Sequence, residues 1–163
     1  MSVTASVPTT DTPARLRSTI ARLHRRLRPT AAGRAAGLTP TRMSLLHTIN
    51  RLGPIRLSDL AAEEGINPTM LSRIVGDLVE GDLIERVCDP LDRRAALVRT
   101  TREGRKLIER MRRERTDVVS LALDGLSPSE LRALERALPA LERVAEELKG
   151  GQRAAESWKG ERR

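Results

Sequence analysis

Asn67-Pro68-Thr69-Met70-Leu71-Ser72-Arg73-Ile74-Val75-Gly76-Asp77-Leu78-Val79-Glu80-Gly81 is the stretch that decides the fold. Asn67 offers a side-chain oxygen to a first helical turn, and Pro68 fills the position where a missing N–H does no harm. Leu71, Ile74, Val75 and Leu78 then recur at i, i+3, i+4 and i+7, one face of an α-helix. The opposite face carries Thr69, Met70, Ser72, Arg73 and Asp77, and Gly81 marks the end.

Working upstream, a short helix is predicted from about Leu57 to Glu64, burying Leu57, Leu60 and Ala61 and closed by Gly65. Two short helices about a Gly-containing turn make a helix-turn-helix candidate, a pairing that also occurs in helical domains that never touch DNA. Before it, Thr39-Pro40 starts another helix with Met43, Leu46, Ile49 and Leu52 as its buried stripe, ended by Gly53-Pro54. Downstream, Leu83–Cys88 is strand-prone, Asp89-Pro90-Leu91-Asp92-Arg93-Arg94 is turn chemistry with a charged tip, and Ala95–Thr100 can return as the second strand. A basic hairpin directly behind a candidate recognition helix reads as a wing, whose arginines can reach the narrow minor groove.

The flanks are helical. Residues 1–12 read as a disordered arm and residues 29–38 as a loop; between them a helix from Pro13 carries Leu16, Ile20, Leu23 and Leu27 as one stripe. A long helix runs from about Thr101 to Leu123, capped by Thr100 or by Thr101. The last helix opens with the capping box Ser127-Pro128-Ser129-Glu130. Its Leu131, Leu134, Leu138, Leu141, Ala145 and Leu148 follow heptad spacing, with Pro139 expected to kink it. That seam suits packing between subunits better than packing onto its own domain, and residues 149–163 read as a flexible tail. The expected division is therefore 1–12, 13–37, 38–100 for the DNA-binding unit, 101–148 for dimerisation, and 149–163.

Composition narrows the function. The net charge is +8 and the chain has no Phe, no Tyr and one Trp. The basic excess favours a polyanionic partner, while the lack of aromatics argues against single-strand binding by base stacking. The lone Cys88 excludes an internal disulfide and a cysteine-based zinc site. No apolar run approaches the ~20 residues of a membrane span. With no basic n-region and apolar h-region at the N-terminus, the expected location is the cytoplasm. Neither a nucleophile elbow, nor a phosphate loop, nor a metal cluster appears, so neither an enzyme, a cofactor nor a metal is expected.

The run from Leu38 to Gly104 resembles the MarR family of bacterial transcriptional regulators. The likeness rests on Leu57-Ser58-Asp59-Leu60-Ala61-Ala62-Glu63, on Ile66–Val75 continued through Gly81-Asp82-Leu83-Ile84-Glu85-Arg86, and above all on the wing signature Asp89-Pro90-Leu91-Asp92-Arg93-Arg94-Ala95 with Thr101-Arg102-Glu103-Gly104 behind it. Thr100 stands where the family usually has Leu, and Arg56 where a capping Ser or Thr is common.

The resemblance implies a mainly α fold with a small β-hairpin wing (α+β), a winged helix-turn-helix with N- and C-terminal dimerisation helices. It implies a homodimeric repressor on a pseudo-palindromic double-stranded operator, with half-sites roughly 10 bp apart. The alternative is a non-specific structural DNA-binding protein of the same fold. Asn67, Pro68, Thr69, Met70, Ser72 and Arg73 are the candidate major-groove residues, with Arg73 able to fork onto guanine. Arg94 is the candidate minor-groove contact, oriented by Asp92, with Arg93 on the backbone. Family members often sense small, frequently aromatic acids in a crevice beside the dimerisation helices. Arg15, Arg22, His24, Arg42 and His47 are the polar candidates for such an effector here. Cys88 is either a small strand residue or a redox sensor.

Overall fold

A computed structural model of the chain describes residues 11–89 and 96–160, with side chains through residue 148. In chain order the elements are α1 (Thr12–Leu27), α2 (Ala31–Ala35), α3 (Pro40–Leu52), β1 (Ile55–Arg56), α4 (Leu57–Glu64), α5 (Pro68–Glu80), β2 (Ile84–Cys88), β3 (Ala96–Thr100), α6 (Arg102–Leu123) and α7 (Pro128–Gly160). They form two compact units, Met1–Val118 and Val119–Arg163.

The first unit is a winged helix-turn-helix. Its core is aliphatic, as the composition requires: Leu45, Leu46 and Ile49 of α3, Leu60 of α4, Leu71, Ile74, Val75 and Leu78 of α5, Ile84 and Val98 of the sheet, and Leu107, Ile108 and Met111 of α6. The four α5 residues are the four that the periodicity picked out. Each buried side chain of this kind contributes about 1.5–3 kcal/mol.

In α3 the buried face is shifted from the expected stripe. Leu45, Leu46, Thr48 and Ile49 are buried, while Leu52 at the helix end is exposed. The buried Thr48 hydroxyl donates to Glu64 of α4, so an intramolecular partner makes room for a polar residue inside.

The sheet is three-stranded and antiparallel, in the order β1-β3-β2. Ile55 and Arg56 pair with Val98 and Leu97, a strand not anticipated from the sequence because it is two residues long and follows Gly53-Pro54. Ile84–Cys88 pairs with Ala96–Thr100, with Glu85 opposite Arg99 and their side chains bridged at 2.9 Å.

Residues 31–35, expected as loop, form α2. Thr30 accepts from the Gly33 N–H at 3.1 Å, and Glu114 of α6 accepts from the Ala31 and Ala32 N–H groups at 2.6 and 3.0 Å. A helix of Ala and Gly residues has no periodic apolar signal of its own. It forms here because its orphan donors are satisfied from a distant helix.

The cap of α6 is Thr101. Its Oγ1 accepts from the Gly104 N–H at 2.9 Å and donates to the Asp82 carbonyl at 2.6 Å. Thr100 is instead 4% exposed, and its Oγ1 has no hydrogen-bond partner among the described residues. A buried hydroxyl left unpaired costs about 1–3 kcal/mol, and valine has the same shape without it. Thr100→Val is therefore expected to raise stability by about 1 kcal/mol, read as a higher urea midpoint at unchanged slope. A lowered midpoint would show that the hydroxyl is satisfied after all.

In the second unit, α7 begins with the capping box. The Ser127 N–H donates to Glu130 Oε2 at 2.9 Å, and Ser127 Oγ accepts from the Glu130 N–H at 3.3 Å. Hydrogen bonds from the Ser127 side chain and backbone hold the Glu130 carboxyl below the usual range. The backbone of α7 stays helical to Gly160, past Gly150-Gly151 where a flexible tail was expected to begin. Neither glycine stops the helix, because Gln, Arg, Ala and Glu residues after them favour it. None of Leu131, Leu134, Leu138, Leu141, Ala145 and Leu148 is buried, and Leu138 and Leu148 are 46% and 61% exposed. No helix among the described residues is long and apolar enough to cross a membrane.

Candidate nucleic-acid interface and effector cavity

The exposed face of α5 is set by its N-terminus. Asn67 Oδ1 accepts from the Met70 N–H at 2.9 Å, and Pro68 lies in the first turn. That cap leaves Asn67, Pro68, Thr69, Met70, Ser72 and Arg73 exposed together, with Met70 at 47%. The first turn carries no acidic residue to oppose a phosphate at the positive end of the helix. The structure thus brings all six candidate major-groove residues onto one open face.

The three candidate wing-tip residues, Asp92, Arg93 and Arg94, lie outside the described residues. The base of the wing is described. Asp89, 5% exposed, follows β2 and takes both Nε and Nη2 of Arg56 on one carboxylate oxygen, at 2.9 and 2.5 Å. Because β1 and β2 flank β3, this pair reaches across the middle strand. Arg56 is the N-cap of α4 but makes no side-chain capping bond there. Its departure from a capping residue is explained by this other partner, which sequence reasoning missed.

The five candidate effector residues separate. Arg15 lies beside Asp11 and Arg22 beside Thr19 on exposed α1. Arg42 turns to Asp77 on α5 and donates to the Gly37 carbonyl at 3.3 Å, which makes it a strut of the recognition helix. His24 and His47 meet in an open cavity of about 720 Å3. Arg28, Arg51 and Arg115 also line it, Leu27, Pro40 and Met43 supply apolar walls, and no carboxylate lines it among the described residues.

The cavity sits against the machinery that holds the helix-turn-helix. Arg51 donates to Glu63 at 2.6 Å and Ser44 to Glu64 at 2.9 Å, both on α4, while Arg115 Nε holds the Leu27 carbonyl at 3.2 Å. His47 Nε2 is buried with no partner among the described residues. Burial, and then the Arg115 charge, lower the pKa of His47 from 6.5. The folded state therefore favours the neutral imidazole. Stability from this group is present above the unfolded value of about 6.5 and is lost as pH falls below it. The melting temperature should drop between pH 7 and about pH 5.5, and His47→Gln should shrink that drop. An unchanged pH profile in the variant would show that His47 is not the group responsible. Cys88 is exposed at the end of β2, opposite Ala96.

A model described as the MarR family matches residues 38–96. The chain is 28% identical over 109 residues to YhbI, an HTH-type transcriptional regulator of Bacillus subtilis (strain 168), covering 67% of this chain and 71% of that one. A crystal structure of a candidate transcriptional regulator from Pseudomonas aeruginosa PA01 is 32% identical, covering 85% of this chain and 98% of its own, with a TM-score of 0.68. The transcriptional regulator Tm0710 from Thermotoga maritima shares the fold, with a TM-score of 0.75 at 24% identity over 85% of this chain and 96% of that one.

Proposed function

The chain belongs to the MarR family, and on that premise we propose that it is a repressor that grips a pseudo-palindromic operator as a homodimer and is released by a small anion. The coarse function is the family's: it binds DNA and regulates transcription, and it is not an enzyme. The observation that carries the finer reading is α5, with Leu71, Ile74, Val75 and Leu78 buried beneath an open face of Thr69, Ser72 and Arg73. Hydroxyls there can bond bases or phosphates, and a guanidinium can fork onto guanine.

The homodimer is supported by apolar surface that the described residues leave at least partly open. Ile20 and Leu23 of α1 are 49% and 55% exposed, and the heptad stripe of α7 is unburied. A two-fold pair would set its α5 helices in successive major grooves, one helical turn apart, and Asp92, Arg93 and Arg94 would complete each half in the minor groove. The effector is supported by a cavity that holds three guanidinium groups and two imidazoles beside apolar walls. That lining suits a small carboxylate with an apolar body.

The test is a titration at fixed salt with the intergenic duplex beside the chain's own gene, against an unrelated duplex. A regulator should prefer its operator by about 10³ or more, and Arg73→Ala should weaken that binding about tenfold. Equal affinity for both duplexes would support the non-specific alternative. A monomer by light scattering would remove the operator symmetry. Benzoate that neither raises the melting temperature nor releases the operator would count against an aromatic acid as the anion.

A further inference from the structure

Opposite the buried edge of α5 lie Thr69, Arg73, Gly76 and Glu80, at i, i+4, i+7 and i+11, with Gly76 half-buried and the other three exposed. A glycine in the middle of a helix costs stability relative to alanine, because it gives up more backbone freedom on folding. Nothing among the described residues explains the one at 76. Beyond its own helix backbone and chain neighbours, a Cβ built on Gly76 meets no atom of the described residues within 4 Å. Gly76 is not among the positive-φ glycines, which are Gly37 and Gly65. Gly33, by contrast, would bring a Cβ to 3.1 Å from Met111 Sδ, so its bareness is explained by packing. The missing side chain at 76 points away from the buried edge of the helix.

The nearest acid in sequence is already paired within the chain. Asp77, the next residue, is paired with Arg42, which also holds the Gly37 carbonyl. The two side chains are 33% and 32% exposed, so the Asp77 carboxylate is neutralised while both groups stay partly open to solvent.

We propose that Gly76 is a contact-distance determinant for duplex DNA: the bare backbone there admits a sugar–phosphate strand closer than any side chain would, setting how deep α5 sits and which base edge Arg73 reaches. This rests on the reading of α5 as the DNA-facing helix. The residue acts by absence, so its effect is on the fit of the complex and not on the folded protein.

The experiment uses the full chain and a duplex selected from a random library by the wild-type protein, at one salt concentration. Gly76→Ala should unfold at the same temperature or higher, while binding the selected duplex about tenfold more weakly. Gly76→Met, an equally good helix former with a longer side chain, should bind more weakly still. Arg73→Ala serves as the control. If Arg73→Ala loses affinity and Gly76→Ala does not, the inference fails and α5 still reads DNA. If neither variant moves the affinity, the reading of α5 fails and the inference with it. A Gly76→Ala protein that melts earlier as it loses affinity also overturns the proposal, since the glycine would then serve the fold.

Discussion

Gly104→Ala should be strongly destabilised, losing about 3 kcal/mol. For a chain of 163 residues that is a drop of about 6–12 °C in melting temperature. A Cβ on Gly104 would stand 2.0 Å from the Leu83 carbonyl oxygen and 2.8 Å from Thr100 Cγ2. The obstacle is backbone, which cannot swing aside as a side chain can. The same carbonyl accepts the Thr101 N–H at 3.1 Å, and Thr101 Oγ1 holds the neighbouring Asp82 carbonyl. The first turn of α6 is therefore laid directly on the chain between α5 and β2. Opening that seam would shift the root of the wing relative to the recognition helix, so operator affinity should fall with stability. Gly125→Ala is the control, because its Cβ would meet nothing closer than 3.5 Å. Circular dichroism melting checks both, and a Gly104→Ala protein within a degree or two of wild type would mean that α6 does not dock against Leu83 as described.

That seam shows where the sequence was legible. Thr101-Arg102-Glu103-Gly104 was read as part of a wing signature, yet the reason for its glycine lies at Leu83, which the sequence does not place beside it. Elements with a local cause were read well. Asn67-Pro68 and the i, i+3, i+4, i+7 spacing of α5 gave the right start and the right four buried residues, since cap and period both act within a few residues. Elements with a distant cause were not. Two N–H groups at the start of α2 are satisfied by Glu114, and β1 exists because β3 offers it a ladder. Arg42 was an effector candidate as a polar residue of the first long helices, and its partner Asp77 is 35 positions away. Of the five effector candidates, His24 and His47 meet in the cavity, but its other cations, Arg28, Arg51 and Arg115, were not singled out. Nothing in the spacing of Arg115 marks it as a neighbour of α1 and α3.

Arg56 carries the second large effect. In Arg56→Ala the nearly buried Asp89 carboxylate loses two guanidinium hydrogen bonds, at 2.9 and 2.5 Å. Removing one partner of a fully buried pair costs about 3–5 kcal/mol. Here the carboxylate is 6% exposed but the arginine side chain is 43% exposed, so water recovers part of the loss. The expected cost is about 2 kcal/mol, the scale of hydrogen bonds to a charged group. Arg56→Ser separates this strap from the capping role that the position could have played. Serine at the N-cap of α4 would supply the side-chain bond that Arg56 does not make, returning about 1 kcal/mol. The serine variant should thus melt above the alanine variant and below wild type. Arg56→Ala with Asp89→Asn should lose less than the sum of the two single changes, because the second change removes the carboxylate that the first deprives of its guanidinium. Urea unfolding of the four proteins gives the coupling directly. Strict additivity would mean that the two side chains do not act on each other in solution. The Arg56–Asp89 pair would then not be what ties β1 to the end of β2 across β3.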